Sequence, residues 1–282
     1  MEEKTTEEIN SELAELFESD VKEFSEKGAK AFGHILKKRG IDNPQKWFED
    51  RLRGDVAVDV LPYSYKDDGF GARFDMDTGA IIFKSICSIH KKFNRAHEMV
   101  HKITLLLMDK VLEGKIYSAN RVGLLVRDIE MSMDEKTGAI KESYRVGAEN
   151  GRWFNEGATN LVAEKLLGID CNMSGATDGR DSYPFETQLA RQVMEAVGED
   201  AFFEAVFFEP DILANKWHEL TGDKCSYPRI VYFLDEHQRA ILEVRRTKVY
   251  ERRIVLKTIG DAYKKAEIEV NKFAPLTKKT NE

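Results

Sequence analysis

The sequence predicts an α+β protein that is mostly α, and three observations lead there. Apolar residues recur at helical spacing through the first fifty positions. They do so again through most of the chain past Trp153. In between, residues 55–87 change character: short apolar or alternating runs are divided by glycine-containing turns, the pattern of strands in a small sheet. The chain then divides into an N-terminal helical layer (1–54), a small mixed sheet with one long helix (55–112), a helical subdomain (113–272) and a frayed tail (273–282).

Each element has its own signal. Ile9, Leu13, Leu16, Phe17, Val21 and Phe24 fall on one helical face after Thr6. Ala29–Lys38 continues in the same style up to Arg39-Gly40, and a short helix from Pro44 to Leu52 stops at Gly54. Val56–Leu61 reads as a strand. Gly71–Met76 alternates, Asp77-Thr78-Gly79 turns the chain, and Ala80–Phe83 returns as a second strand. A helix is expected from near Ile89 to about Leu112. Residues 113–151 show no strong periodicity, and 130–137 read as a polar loop. Helices are expected at about 156–167, 185–197, 199–208, 211–220 and 230–245, with one or two more across the basic stretch 239–265.

Composition narrows the function classes. A net charge of −7 argues against nucleic acid as the main partner. No apolar run reaches 18 residues and the chain opens Met1-Glu2-Glu3-Lys4, so neither a membrane span nor a secretory signal is expected. Cys87, Cys171 and Cys225 form no C-x-x-C pair and no disulfide framework, which fits a reducing, cytoplasmic setting.

The stretch that narrows the chemistry most is His97-Glu98-Met99-Val100-His101. Positions i and i+4 of a helix return to the same face, so the two imidazoles can aim at one point while Glu98 sits just round the helix. That is the geometry of a zinc site with a carboxylate beside a water molecule. Ala96, Met99, Val100 and Ile103 add an apolar stripe, whereas Arg95 and Lys102 put charges into this helix. The second informative stretch is Trp153-Phe154-Asn155-Glu156-Gly157-Ala158-Thr159-Asn160. A carboxylate near a helix N-terminus is favourable in any protein, which is the plain alternative for Glu156.

Together these stretches resemble the gluzincin class of zinc peptidases, in which an H-E-x-x-H helix is followed by a helix beginning Asn-Glu-Gly. Arg95–Glu98 with Glu156–Asn160 is also similar to intracellular ImmA/IrrE-like peptidases. The resemblance covers about residues 80–168 and implies a zincin-like core. It implies His97, His101 and Glu156 as zinc ligands and Glu98 as the general base that serves a metal-activated water. It also implies a protein or peptide as substrate; the edge strand Ala80–Phe83 of the small sheet is where an extended substrate would bind by strand addition, since an exposed edge accepts a chain in that way. Where many gluzincins carry an Asp to hold a ligand histidine, this chain has Asn160, which can accept the same hydrogen bond without a charge. The class commonly uses a Tyr or His to stabilise the oxyanion; Tyr183 is the first candidate, with His218 and Tyr144 as alternatives.

Other residues carry plainer expectations. Glu164, eight beyond Glu156, is the rival ligand, with a solvated surface role the simpler expectation. His90 could border the cleft. His34 reads as packing, His237 as exposed, and Phe202-Phe203 and Phe207-Phe208 as core. Two further functional classes stay open: a zinc-binding protein without turnover, and a protease effector exported without a leader.

Overall fold

The computed structural model describes residues 6–53, 72–74, 81–83, 91–112, 115–133, 140–143, 151–168, 183–246 and 252–272. The predicted strand Val56–Leu61, the turn at Asp77-Thr78-Gly79, His90, Tyr144 and the tail 273–282 lie outside these residues. Most of the described chain is helical. In order the elements are α1 (Thr6–Lys38), α2 (Pro44–Leu52), β1 (Ala72–Phe74), β2 (Ile81–Phe83), α3 (Lys92–Thr104), β3 (Leu105–Leu112), β4 (Lys115–Val122), β5 (Leu125–Met133) and β6 (Ile140–Ser143). The helices α4 (Arg152–Leu167), α5 (Pro184–Val197), α6 (Glu199–Phe207), α7 (Asp211–Thr221), α8 (Ser226–Arg246) and α9 (Arg252–Asn271) follow. No described helix is long and apolar enough to cross a membrane.

The chain resolves into two units. The first holds residues 1–105 and 159–182, the second 106–158 and 183–282. In the first unit Leu13, Phe17, Val21 and Phe24 of α1 are buried, as their helical spacing predicts. Further along α1, Phe32 packs on Phe48 of α2 (ring centroids 6.4 Å apart), and a side chain at Gly28 would meet the Phe48 ring at 2.8 Å. Pro44 opens α2, and the Asn43 side chain accepts a hydrogen bond from the Lys46 amide, which caps it. β1 pairs antiparallel with β2, Ala72 opposite Phe83 and Phe74 opposite Ile81.

In the second unit the strands run in the order β3-β4-β5-β6, with β4–β5 and β5–β6 antiparallel. The core of this unit is aromatic: Phe154 meets Phe202 and Tyr227 edge-on, and Trp217 is fully buried with its indole N–H donating to Ser226 Oγ. Phe202, Phe203 and Phe207 are core residues, as expected, whereas Phe208, just past the end of α6, is only half-buried.

Two expectations need correction. The helix expected to reach Leu112 ends at Thr104, and β3 begins at Leu105. The terminal carbonyls explain the stop: the Arg51 guanidinium donates to Ile103 O and Leu105 O, and Thr104 Oγ1 donates back to Val100 O. The polar stretch 130–133, read as loop, is the end of β5 and pairs with β6, Glu130 opposite Ser143 and Met133 opposite Ile140. Backbone pairing, not apolar alternation, makes this ladder.

Candidate metal centre

α3 carries the motif as the sequence requires. Ala96, Met99, Val100 and Ile103 are fully buried, and His97, Glu98 and His101 are buried beside them at 6–7% exposure. The charges at Arg95 and Lys102 do not stand in water. Lys102 is half-buried with its Nζ shielded from solvent, and Arg95 is buried against Asp20 of α1, its Nε donating to Asp20 Oδ2 at 2.5 Å. Arg95 thus brings its own counter-ion from 75 positions away.

The two imidazoles are held from α4. His97 Nδ1 lies 2.6 Å from Asn160 Oδ1; a carbonyl oxygen can only accept, so the ring donates there. His101 Nδ1 lies 3.5 Å from Thr159 Oγ1, and the His101 ring stacks on Phe74 of β1, centroids 6.2 Å apart and planes 25° apart. With both Nδ1 atoms so engaged, the Nε2 atoms turn toward each other and come within 3.1 Å. Two nitrogens about 2.0–2.1 Å from one tetrahedral ion stand about 3.3 Å apart, so this separation suits a shared cation.

Glu156 lies one turn before Asn160 in α4 and completes the set. Ligand atoms of His97, His101 and Glu156 all fall within 4.8 Å of one another, the histidines buried and the glutamate half-buried. This is the only such group among the described residues. Its donors, two neutral imidazole nitrogens and a carboxylate oxygen, fit a divalent ion of the first transition row.

The next residue, Gly157, is there for a steric reason. A Cβ on it would stand 2.3 Å from the carbonyl oxygen of Glu186 in α5, and backbone cannot swing aside as a side chain can. Asn155 accepts the Leu124 amide at 2.7 Å through Oδ1 and so ties the β4–β5 turn to the start of α4. The three letters Asn-Glu-Gly therefore divide into an anchor, a member of the group that could hold a metal ion and a close-approach residue.

The remaining candidates are not members of that group. Tyr183 precedes α5 with a φ of 65°, the only positive φ outside glycine among the described residues, and its ring meets Trp153 at 5.9 Å. Glu164 is not in the metal-binding group, and it is buried at 8% exposure where a solvated role was expected: the face of α4 that carries it packs inward. His237 is also buried, between the rings of Phe185 and Tyr263, because the second unit closes over that face of α8; it was expected to be exposed. His34, expected to pack, is exposed, and His218 is half-buried in α7. Cys225 is exposed and free; Cys87 and Cys171 lie outside the described residues. Sequence reasoning assigned no role to Thr159, although it lies in the Trp153–Asn160 stretch, and missed Asp20 and Arg51, which carry no motif.

Glu186 of α5 is a buried acid that the sequence did not flag. Burial pushes its carboxyl above the usual range and the charge of Glu156 adds to this, against the hydrogen bond from Gln238 Nε2 and the charge of His237.

Compared with known proteins, the chain matches no protein-family model, no curated protein and no solved structure.

Proposed function

We propose that this protein is a zinc-dependent peptidase of gluzincin type with a zincin-like core, acting on a protein or peptide. The observation that carries this reading is the pair of Nε2 atoms 3.1 Å apart, each ring engaged through Nδ1, with Glu156 in reach of both. When bound there, zinc supplies a Lewis acid that acidifies water and polarises a carbonyl. Glu98, next to His97 in α3, is the carboxylate that accepts the water's proton and passes it to the leaving amine. Asn160 holds His97 in the tautomer that presents Nε2. Tyr183 is the candidate oxyanion donor; a left-handed backbone at a non-glycine residue costs of order 1–3 kcal/mol and concentrates at functional sites. β2 offers the strand along which an extended substrate would add.

A metal protein without turnover is the second reading, and Asn160 favours it, since a neutral amide supports ligand basicity less than a carboxylate does.

Elemental analysis and a peptidase assay test both. Wild type should hold about one zinc, and His97→Ala and Glu156→Ala should hold little. Glu98→Gln should keep the zinc while turnover falls about 10²–10⁴-fold. Absence of zinc from wild type sinks the metal reading, and turnover unchanged in Glu98→Gln sinks the base.

A further inference from the structure

α1 carries a polar stripe inside an otherwise apolar packing face. Asp20, Glu23 and Lys27 are three and four residues apart, so they align along one side of the helix. Each reaches an element that builds the metal centre. Asp20 takes the Arg95 guanidinium through Nε at 2.5 Å and Nη2 at 3.3 Å, with both side chains 4–5% exposed. Glu23 accepts from Lys92 Nζ at 2.5 Å and from Lys27 Nζ at 2.7 Å. Lys27 in turn donates to the carbonyl of Leu167, the last residue of α4, at 3.3 Å. Lys92 and Arg95 share one side of α3, and His97 lies about 200° round the helix from Arg95. A continuous polar chain therefore runs from the back of the histidine helix, through α1, to the end of the helix that carries Thr159 and Asn160.

We propose that Asp20 and Glu23 are positioning residues of the metal centre: through Arg95, Lys92 and Lys27 the stripe of α1 sets the spacing of α3 against α4, and with it the metal affinity. This rests on the metal reading above. The competing account is that these ion pairs only stabilise the fold, and the two separate cleanly. Removing Asp20 alone takes one carboxylate away from the buried Arg95 guanidinium and destabilises by that route. Replacing both partners with apolar residues removes that penalty, because buried pairs exchanged for well-packed apolar side chains are commonly neutral or stabilising.

The test uses the full chain, with Zn²⁺ as the probe against a competing chelator and thermal unfolding of the metal-free protein alongside. The double variant Asp20→Leu/Arg95→Met should unfold near the wild-type temperature yet bind Zn²⁺ about 10-fold or more weakly, the range for lost outer partners of metal ligands. Glu23→Gln, on a half-exposed side chain that does not endanger folding, should keep its midpoint and bind about threefold more weakly. Affinities within about twofold of wild type in both variants overturn the proposal. If the double variant does not fold, Glu23→Gln decides alone. A wild-type protein that takes up no Zn²⁺ overturns the metal reading itself, an outcome distinct from wild type binding tightly and the variants binding equally well.

Discussion

The Asp20–Arg95 pair of α1 and the Lys216–Glu219 pair of α7 both join a cation to a carboxylate, to opposite effect. Asp20 and Arg95 meet at 4–5% exposure and lock two helices together, while Lys216 and Glu219 meet at 48% and 63% exposure on one turn of α7. Both contacts are short, at 2.5 and 2.6 Å, so distance does not distinguish them. Burial does. Losing one partner of a buried pair strands a charge in a low dielectric at about 3–5 kcal/mol, whereas an exposed pair is screened and contributes about 0–1 kcal/mol. Around the candidate metal centre, then, each buried polar contact carries weight, and the helices of the second unit can vary their surface pairs at little expense.

Four substitutions break or sharpen that contrast. The largest effect belongs to Gly157→Ala. Alanine normally favours a helix by about 0.5–1 kcal/mol over glycine, but the added methyl would sit 2.3 Å from Glu186 O, so unfolding experiments should show a loss of about 3 kcal/mol or more. Asn160→Ala should leave the protein folded and weaken metal binding about 10–100-fold, read by chelator competition; unchanged affinity would mean that the 2.6 Å contact to His97 is incidental.

Glu186→Gln should go the other way at neutral pH. A carboxyl whose folded pKa is raised favours its protonated form, so the folded state is relatively best off at low pH and loses stability as pH rises through that pKa. Gln keeps a carbonyl oxygen for Gln238 and carries no charge, so the variant should melt higher than wild type at pH 7. The gain should vanish as pH falls below the ordinary value of 4.5. Melting curves across that window settle the sign. Last and smallest, Lys216→Ala should change stability by no more than about 0.5 kcal/mol, and a larger loss would show that exposure is not what separates the two classes.

Much of the centre was legible residue by residue. The i, i+4 histidines come together because helix geometry leaves them no other face, and Glu156 with Asn160 follows for the same reason on α4. Where the reading failed, the deciding group was distant in the chain. The end of α3 depends on Arg51, more than fifty positions upstream, taking its last carbonyls. Arg95 looked out of place until Asp20 was seen beside it. His34 and His237 were assigned to the wrong environments because one polar residue on a helix does not reveal which side a neighbouring element will cover.

By itself, the sequence determined the helical character of most of the described residues, the packing face of α1 and the two segments that supply the candidate metal group, since all of these follow from periodicities of three to seven residues. Only the tertiary structure decided which polar groups would be buried and with what partner: Arg95 with Asp20, His101 with Thr159, Glu186 with Gln238. The physical reason is that a helix sets the direction of its own side chains, whereas burial of a charge depends on surfaces brought up from elsewhere in the chain.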